Sequence, residues 1–342
     1  MKIDDIARIA KVSKSAVSLA LNGKPGVSDK TRAHILKIAE EYNYIPLRNN
    51  KKKDTSGQQI IRFLACKNND IITDHYETLP FFNELIGYLT EDIKEYPFTL
   101  LISTINADDM QNELTELEIA QPSAGILLLG TNLSSNQVQI VKDIQPNLVV
   151  LDTCIRNMPV SFVSINNYFG GFEAARYLLS LGHTKIGYVM GQPRIYNFDY
   201  RQKGFNDALN EAGITIDKQH IYHLPAMQIG IYEQAKNQIQ ATTDLPTAIF
   251  CENDYMAISI IKILADIGIS VPDDVSIIGF DNISEGNVVT PELTTIHVKK
   301  NLLSAMSLQQ LSQQIETKHP NDSYQILINT SLIERNSCKT LK

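Results

Sequence analysis

Cysteine is scarce in this 342-residue chain, and its four cysteines are far apart in the sequence. None belongs to a Cys-x-x-Cys pair, the spacing that zinc sites and redox-active thiols use. A metal site or a disulfide framework is therefore not expected. We predict reduced thiols, buried in the core, at Cys66, Cys154, Cys251 and Cys338.

Long hydrophobic runs are also missing. The longest uninterrupted apolar stretches, such as 126–129 and 148–151, have the length of a strand, whereas a helix that crosses a bilayer needs about 20 apolar residues. The chain begins with MKIDD, which places acidic residues where a secretory signal would have an apolar run. These features predict a soluble, cytoplasmic protein.

The distribution of charge divides the chain in two. Residues 1–53 contain 12 Lys and Arg against 5 Asp and Glu, whereas the remainder contains 19 against 33. The net charge of −7 therefore combines a basic end with an acidic body. A basic end suits a polyanion, because each phosphate contact releases condensed counterions. On charge alone, a merely solvated terminal helix remains the alternative.

Three short helical patterns fill residues 1–46. Ile6 and Ile9 lie on one face of the first, and Ser13 and Ser28 are suited to capping the second and third. Pro46 ends this all-α unit. The next residues, 47–59, are polar and basic and lack apolar periodicity, so we interpret them as a linker.

From residue 60 onward, short apolar strands alternate with amphipathic helices. This order predicts parallel sheets covered on both faces, in two doubly wound lobes of one domain over 60–342. We place the first lobe at about 60–161 and 293–322, and the second at about 162–292 and 323–342. The predicted strands are 60–66, 98–103, 125–129, 148–152, 162–165, 185–190, 247–251 and 275–279, and the clearest helices are 82–96 and 254–267.

The histidines and glycines do not form a catalytic set. His183 lies in a Leu-Gly-His turn and is interpreted as structural, and His220 and His223 would point to opposite faces of a strand. Gly170-Gly171 lacks the lysine of a phosphate-binding loop. We therefore expect neither enzymatic activity nor a cofactor.

Several ordered motifs resemble the lactose-repressor (LacI/GalR) family. Residues 3–23, IDDIARIAKVSKSAVSLALNG, resemble its helix-turn-helix, and the match extends to Pro46. Other matching segments are 181–188, 201–205, 251–257, 269–281 and 291–296. The resemblance implies an all-α helix-turn-helix DNA-binding domain followed by a two-lobed α/β domain of the periplasmic-binding-protein type.

The resemblance assigns DNA contacts to the second helix and its surroundings. Lys14, Ser15 and Leu19 match positions that enter the major groove, where base edges distinguish all four base pairs. Leu19 departs from the arginine or other polar residue usual there. Ser13, Ser18, Asn22 and Thr31 are interpreted as caps or phosphate contacts, which set register without reading sequence.

The linker departs further from the family pattern. Family members have a short hinge helix after the proline, with a leucine that wedges into the minor groove, whereas Lys53 aligns at that position here. A lysine cannot offset base unstacking by apolar insertion. We expect weak or absent hinge bending, with nonspecific affinity from Arg48, Lys51, Lys52 and Lys53; a purely flexible spacer remains the alternative.

A polar cleft is predicted between the lobes, beyond the carboxyl ends of the strands. By resemblance, Asp281 and Arg201 hold a hydroxylated ligand, since a carboxylate accepts from two hydroxyls and a guanidinium forks across two oxygens. Asn253 adds an amide and Asp152 reaches the same cleft, although each of these residues also suits a structural role.

An aromatic platform usual in the family is absent from its expected position here, so it is either missing or supplied from another segment. Pro225 stands where many relatives have an aromatic that stacks on the effector. The loop 67–80 is longer than is typical and opens toward the predicted cleft, so Tyr76 is the candidate substitute.

These expectations combine into one function. The chain is interpreted as a repressor that binds near-palindromic double-stranded operator DNA as a homodimer and responds to a sugar or sugar derivative. A purine or a phosphoprotein is the alternative effector, and a two-lobed solute receptor is the alternative class. The helix 82–96 is expected to form the dimer surface, and the absence of a heptad tail favours a dimer over a tetramer.

Overall fold

The computed structural model describes residues 3–21, 26–41, 59–68, 71, 75–317 and 322–341. The chain divides into two compact units, residues 1–58 and 59–342. None of the helices in these described ranges is long and apolar enough to cross a membrane.

The first unit contains the helices α1 (Ile3–Ala10), α2 (Lys14–Leu21) and α3 (Asp29–Glu41). The two predicted caps are confirmed: Ser13 Oγ accepts from the Ala16 amide at 3.1 Å, and Ser28 Oγ accepts from the Thr31 amide at 3.2 Å. These bonds satisfy amides that a helix start leaves without a partner. The small apolar core consists of Ile6, Ala7, Ala10, Val17, Ala20, Ile35, Ile38 and Ala39.

The second unit contains two six-stranded sheets. Its strands are β1 (Gln59–Lys67), β2 (Phe98–Asn106), β3 (Gly125–Leu129), β4 (Leu148–Leu151), β5 (Ser161–Ile165), β6 (Ile186–Gln192), β7 (Ile221–Pro225), β8 (Ala248–Cys251), β9 (Ser276–Asp281), β10 (Thr294–His297), β11 (Gln325–Ile328) and β12 (Ser331–Ile333). The orders are β11-β5-β4-β3-β1-β2 and β12-β10-β9-β8-β6-β7. All pairs are parallel except β10 with β12.

Helices cover these sheets, as the alternating pattern predicts. They are α4 (Pro80–Asp92), α5 (Met110–Ala120), α6 (Ser135–Ile144), α7 (Asn167–Ser180), α8 (Tyr196–Glu211), α9 (Glu233–Ala241), α10 (Asp254–Asp266) and α11 (Lys300–Glu316). The central strands β3, β4 and β8 are buried at every residue, which explains their continuous apolar sequence. The predicted two doubly wound sheets are confirmed.

The predicted lobe boundaries are wrong at three strands. β5 pairs with β4, and β11 pairs with β5, so both belong to the first sheet rather than the second lobe. β10 pairs with β9 in the second sheet rather than lying in the first lobe. Strand pairing decides these positions, and β11 alternates exposed and half-buried residues, so its sequence lacks the apolar run of a central strand.

The chain passes between the lobes three times: between β5 and α7, between β10 and α11, and between β11 and β12. α7 packs on α8 and on strands of the second sheet, whereas α11 packs on α4 and on strands of the first sheet. Polar residues at the strand ends of both sheets are thereby brought toward a common cleft.

Candidate functional site

A cleft between the lobes lies beyond the carboxyl ends of the strands, where it was predicted. Four of the five predicted effector residues line it, namely Asp152, Arg201, Asn253 and Asp281. The space left between these side chains is about 20 Å³, room for about one water. A ligand therefore needs the lobes or the side chains to move apart. The other lining residues are Phe81, Phe82, Thr131, Ile195, Asn197, Phe198, Met227 and Tyr255.

Arg201 lies at the centre of the cleft and is held on several sides. Its Nη2 is 3.1 Å from Asp281 Oδ1, its Nε donates to Asn167 Oδ1 at 2.9 Å, and its Nη1 donates to the Glu252 carbonyl. The guanidinium carbon lies 3.7 Å from the centre of the Phe280 ring. These contacts preorganise the planar fork for oxygen-bearing ligands.

Two glycines allow the helix that carries Arg201 to approach its neighbour. A Cβ at Gly171 of α7 would lie 2.1 Å from the Arg201 carbonyl oxygen, and one at Gly204 of α8 would lie 1.9 Å from the Tyr168 carbonyl oxygen. Since real Cβ atoms do not come this close, any larger residue would push α7 and α8 apart. The glycines thus place Arg201 against the cleft.

Asp281 is a buried carboxylate with unused hydrogen-bonding capacity. Its Oδ1 has no hydrogen-bond partner, although the Arg201 nitrogen is 3.1 Å away, because the two groups are close without being aligned. Burial raises the pKa of Asp281, and the charges of Arg201 and Lys300 oppose that rise. A ligand hydroxyl at this oxygen would satisfy it.

Asp152 follows β4 with a φ of 65° and is held by two donors. Its Oδ2 accepts from the Thr131 hydroxyl, and its Oδ1 accepts from Asn197 Nδ2 at 3.1 Å. Burial raises the pKa of Asp152 to about 6; the Thr131 hydrogen bond and the Arg201 charge oppose the rise, and the Asp281 charge adds to it. The cleft therefore contains two carboxylates whose ionisation is costly.

Asn253 faces the cleft and also caps α10. Its Oδ1 accepts from the Met256 amide at 2.9 Å, and its Nδ2 donates to the Ala226 carbonyl at 2.6 Å. The Asn253 side chain therefore already forms hydrogen bonds within the protein. This is the structural role that the sequence also suggested for it.

The structure does not place Tyr76 in the cleft. Tyr76 is 2% exposed and packs edge-on against Phe82, with ring centres 5.9 Å apart. Its ring packs among the core residues and contacts Phe82 from behind the cleft wall. Pro225 does not line the cleft either. The aromatic lining comes from Phe81, Phe82, Phe198 and Tyr255. None of these was predicted from the sequence, although Tyr255 lies in the family-like segment 251–257.

A buried lysine connects the cleft to helices of the first lobe. Lys300, the first residue of α11, is 2% exposed, and its Nζ donates to the Asp281 carbonyl at 3.2 Å. The same nitrogen lies 3.1 Å from Glu84 Oε2 on α4. Asp281 is therefore linked by one side chain to both α11 and α4.

In the first unit, the predicted reading positions have different exposures. Lys14 and Ser15 are exposed at the start of α2, whereas Ser18 and Leu19 are half-buried. Ser13 is engaged as a cap, and the Thr31 hydroxyl lies 2.8 Å from the Ser28 hydroxyl. The remaining predicted DNA contacts lie outside the described residues: Asn22, Arg48, Lys51, Lys52 and Lys53.

The described residues contain no group of three or more His, Cys, Asp or Glu side chains that could hold a metal ion. Three of the cysteines are buried and Cys338 is half-buried, and all four are free thiols. The site is thus made of a carboxylate and guanidinium pair, amides and aromatic rings. A basic helical unit joined to such a cleft defines a ligand-responsive DNA-binding regulator.

Comparisons with known proteins support this class. Residues 2–47 match the family described as bacterial regulatory proteins, lacI family, and residues 175–338 match the periplasmic binding protein-like domain. The repressor CytR of Escherichia coli is 30% identical over 98% of this chain and 96% of its own length. The repressor PurR of Pasteurella multocida is 29% identical over 99% and 98%.

A solved lacI-family regulator from Enterococcus faecium with bound ribose is 26% identical, with a TM-score of 0.66 over 83% of this chain and 100% of its own. The chain belongs to the lacI family of bacterial regulatory proteins. The predicted DNA-binding transcriptional regulator with a two-lobed effector domain is confirmed.

Proposed function

We propose that this regulator is a cytoplasmic, dimeric repressor whose affinity for operator DNA is controlled by a sugar or sugar derivative in the cleft. The observation that carries the proposal is the buried Asp281 oxygen without a hydrogen-bond partner, 3.1 Å from the Arg201 guanidinium. A carboxylate facing a guanidinium suits vicinal hydroxyls. The ribose bound to the Enterococcus faecium regulator supports this ligand class.

The DNA-reading part of the proposal rests on the exposed start of α2. Lys14 donates to guanine and Ser15 donates or accepts at base edges, while Leu19 makes apolar contact. Ser13, Ser18 and Thr31, with Asn22, contact phosphates and set the register. Arg48 and Lys51 to Lys53 add nonspecific affinity, and Lys53 in place of a wedge leaves the DNA unbent or weakly bent.

We expect coupling to follow from the movement of the lobes, which separate to admit the ligand and close around it. A ligand that reorganises Asp281 and Arg201 also acts on Lys300, and through it on Glu84 of α4, the helix proposed for the dimer surface. A shift of α4 at the dimer surface would change the spacing of the two DNA-binding units of the dimer. The usual scale of such coupling is about 1–3 kcal/mol. The cleft binds its ligand without a catalytic step.

A purine is the second candidate effector. The observation that favours it is the aromatic lining of the cleft by Phe81, Phe82, Phe198 and Tyr255, since flat rings stack on aromatic side chains. The two candidates differ in which residues should matter most: the Asp281 carboxylate for a sugar, and the rings for a purine.

The deciding experiment is calorimetric titration of the protein with ribose, other sugars and purine bases. The affinity of the protein for the DNA upstream of its own gene is then measured with and without each compound that binds. We expect a sugar to bind and to change operator affinity by about 5- to 150-fold. Asp281→Asn, which keeps the shape, should abolish the response while leaving DNA binding intact. A purine that binds equally well to the Asp281→Asn protein would overturn the sugar proposal.

A further inference from the structure

A second pocket lies beside the crossover between β5 and α7, separate from the effector cleft. Its volume is about 370 Å³, whereas that of the cleft is about 20 Å³. The larger volume falls within the range of small-molecule sites, roughly 300–1,000 Å³. Both lobes contribute to its wall. The lining residues are Cys154, Arg156, Ile165, Asn166, Asn167, Tyr168, Tyr196, Tyr200, Lys203, Asp207, Gln325 and Leu327.

The wall of this hinge pocket combines aromatic rings with positive charge. Tyr196 and Tyr200 of α8 are in ring contact, with centres 4.3 Å apart, and the Arg156 guanidinium lies 5.2 Å from the centre of the Tyr200 ring. Lys203 adds a second cation. Among the described residues, no carboxylate lies within 4.0 Å of the charged nitrogens of Arg156 or Lys203.

The pocket contains one carboxylate, and it is already engaged. Asp207 Oδ2 accepts from the Tyr168 hydroxyl at 3.0 Å. Two cations against one occupied carboxylate leave the pocket with an excess of positive charge. The apolar side chains Ile165 and Leu327 provide further surface for an uncharged body. A small molecule with a ring and a negative group matches this combination.

The hinge pocket and the effector cleft share helix α8. Asn197 and Arg201 line the cleft, whereas Tyr196 and Tyr200, each one residue earlier, line the hinge pocket. Their spacing of four residues places each pair on its own face of the helix. Arg156 and Gln325 belong to the first lobe, and Tyr200 and Lys203 to the second. A molecule in the pocket would therefore contact both lobes.

We infer that the hinge pocket is a second ligand site, for a small organic anion that carries a flat ring. The anionic group lies between Arg156 and Lys203, and the ring packs against Tyr196 and Tyr200. No residue lines both pockets, so this site can be occupied whether or not a sugar is bound in the cleft, although Asn167 of the hinge pocket accepts from Arg201 of the cleft.

The test is calorimetric titration of the full-length protein with AMP as the probe, alongside adenosine and inorganic phosphate. AMP supplies a flat ring and an anionic group together, so it should bind at least about tenfold more tightly than either part alone. Equal binding of AMP and adenosine, or no binding of AMP, would overturn the inference.

Variants locate the bound probe. Arg156→Gln and Tyr200→Leu should each weaken AMP binding by about tenfold or more. Arg176→Gln removes an exposed arginine elsewhere on α7 and should have no effect. Asp281→Asn alters a cleft residue that does not line the hinge pocket, and it should leave the binding of AMP to the hinge pocket unchanged even if it weakens binding of the ribose part in the cleft. AMP binding that is lost in Asp281→Asn but retained in Arg156→Gln would place the probe in the cleft and refute the hinge site.

Discussion

The DNA-reading unit and the two-lobed unit use charge in opposite ways. In the first, Lys14 and Ser15 are exposed at the start of a short helix. In the second, Asp152, Arg201 and Asp281 are buried and depend on one another. An exposed cation acts on a polyanion without supporting the fold, whereas a buried ion that loses its partner destabilises the fold. The same type of substitution should therefore have different consequences in the two units.

The largest expected effect is that of Arg201→Ala. It leaves the buried Asp281 carboxylate without its ion-pair partner and the Glu252 carbonyl without its donor, and the free energy of unfolding should fall by about 3–5 kcal/mol. Urea unfolding measures this loss of stability. Arg176→Ala, at an exposed position of α7, should change stability by about 0.5 kcal/mol or less. Equal losses in the two variants would remove the contrast between buried and exposed charge.

The next effect is a dependence of stability on pH. Burial raises the pKa of Asp152 from 3.8 to about 6, so between these values the folded protein binds more protons than the unfolded chain. Stability therefore falls as the pH rises through this window, by about 3 kcal/mol at most at 1.36 kcal/mol per pKa unit.

Asp152→Asn should remove the part of the pH-dependent loss of stability that is due to Asp152. Urea unfolding from about pH 4 to about pH 7 should show a flatter profile for the variant than for the unmodified protein. Asp322→Asn, at an exposed position, should retain the original profile. If all three profiles coincide, Asp152 does not carry a buried charge that costs stability.

In the DNA-reading unit, Lys14→Ala should affect DNA binding rather than stability. Operator binding should weaken by about 1–3 kcal/mol, with reduced discrimination against altered base pairs, because Lys14 is proposed to contact a base edge. The free energy of unfolding should stay within about 0.5 kcal/mol of the original. Fluorescence anisotropy with native and altered operator DNA measures the affinity and the discrimination between base pairs. Lys37→Ala on α3 is the matched loss of charge, and identical discrimination in both variants would contradict the assignment.

The smallest effect is expected at the cap of α2. Ser13→Ala removes the bond from its hydroxyl to the Ala16 amide and should destabilise the helix by about 1 kcal/mol. Hydrogen exchange of peptides covering α2 should accelerate by about fivefold, since local opening controls exchange. Ser15→Ala, in the same helix, should exchange at the original rate. No difference between the two would show that the cap is dispensable.

Much of the fold could be predicted because its signals are local. Apolar runs identified the buried strands β3, β4 and β8, and serine caps identified the starts of α2 and α3. Polar residues at strand ends likewise indicated the cleft. These signals depend on the alternation and spacing of neighbouring residues, which the sequence displays directly.

The aromatic wall of the cleft could not be predicted in the same way. Tyr76 and Phe82 are both aromatic and near each other in sequence, but only Phe82 faces the cleft while Tyr76 packs behind it. Which of two such rings lines a cavity depends on how a loop folds onto the core. The strands β5, β10 and β11 were assigned to the wrong lobe for a related reason, because pairing with strands distant in sequence decides which sheet they join.

The amino-acid sequence alone indicated the family, the alternation of strands with helices, and the division into a basic N-terminal segment and an acidic body, because periodicity, motif spacing and charge are properties of the chain. Three features could be known only from the folded protein: the lobe that contains each crossover strand, the way Arg201 and Asp281 face each other across a nearly filled cleft, and the position of α8 between two pockets. Those features arise from contacts between residues far apart in sequence, and no local pattern encodes the distances between them.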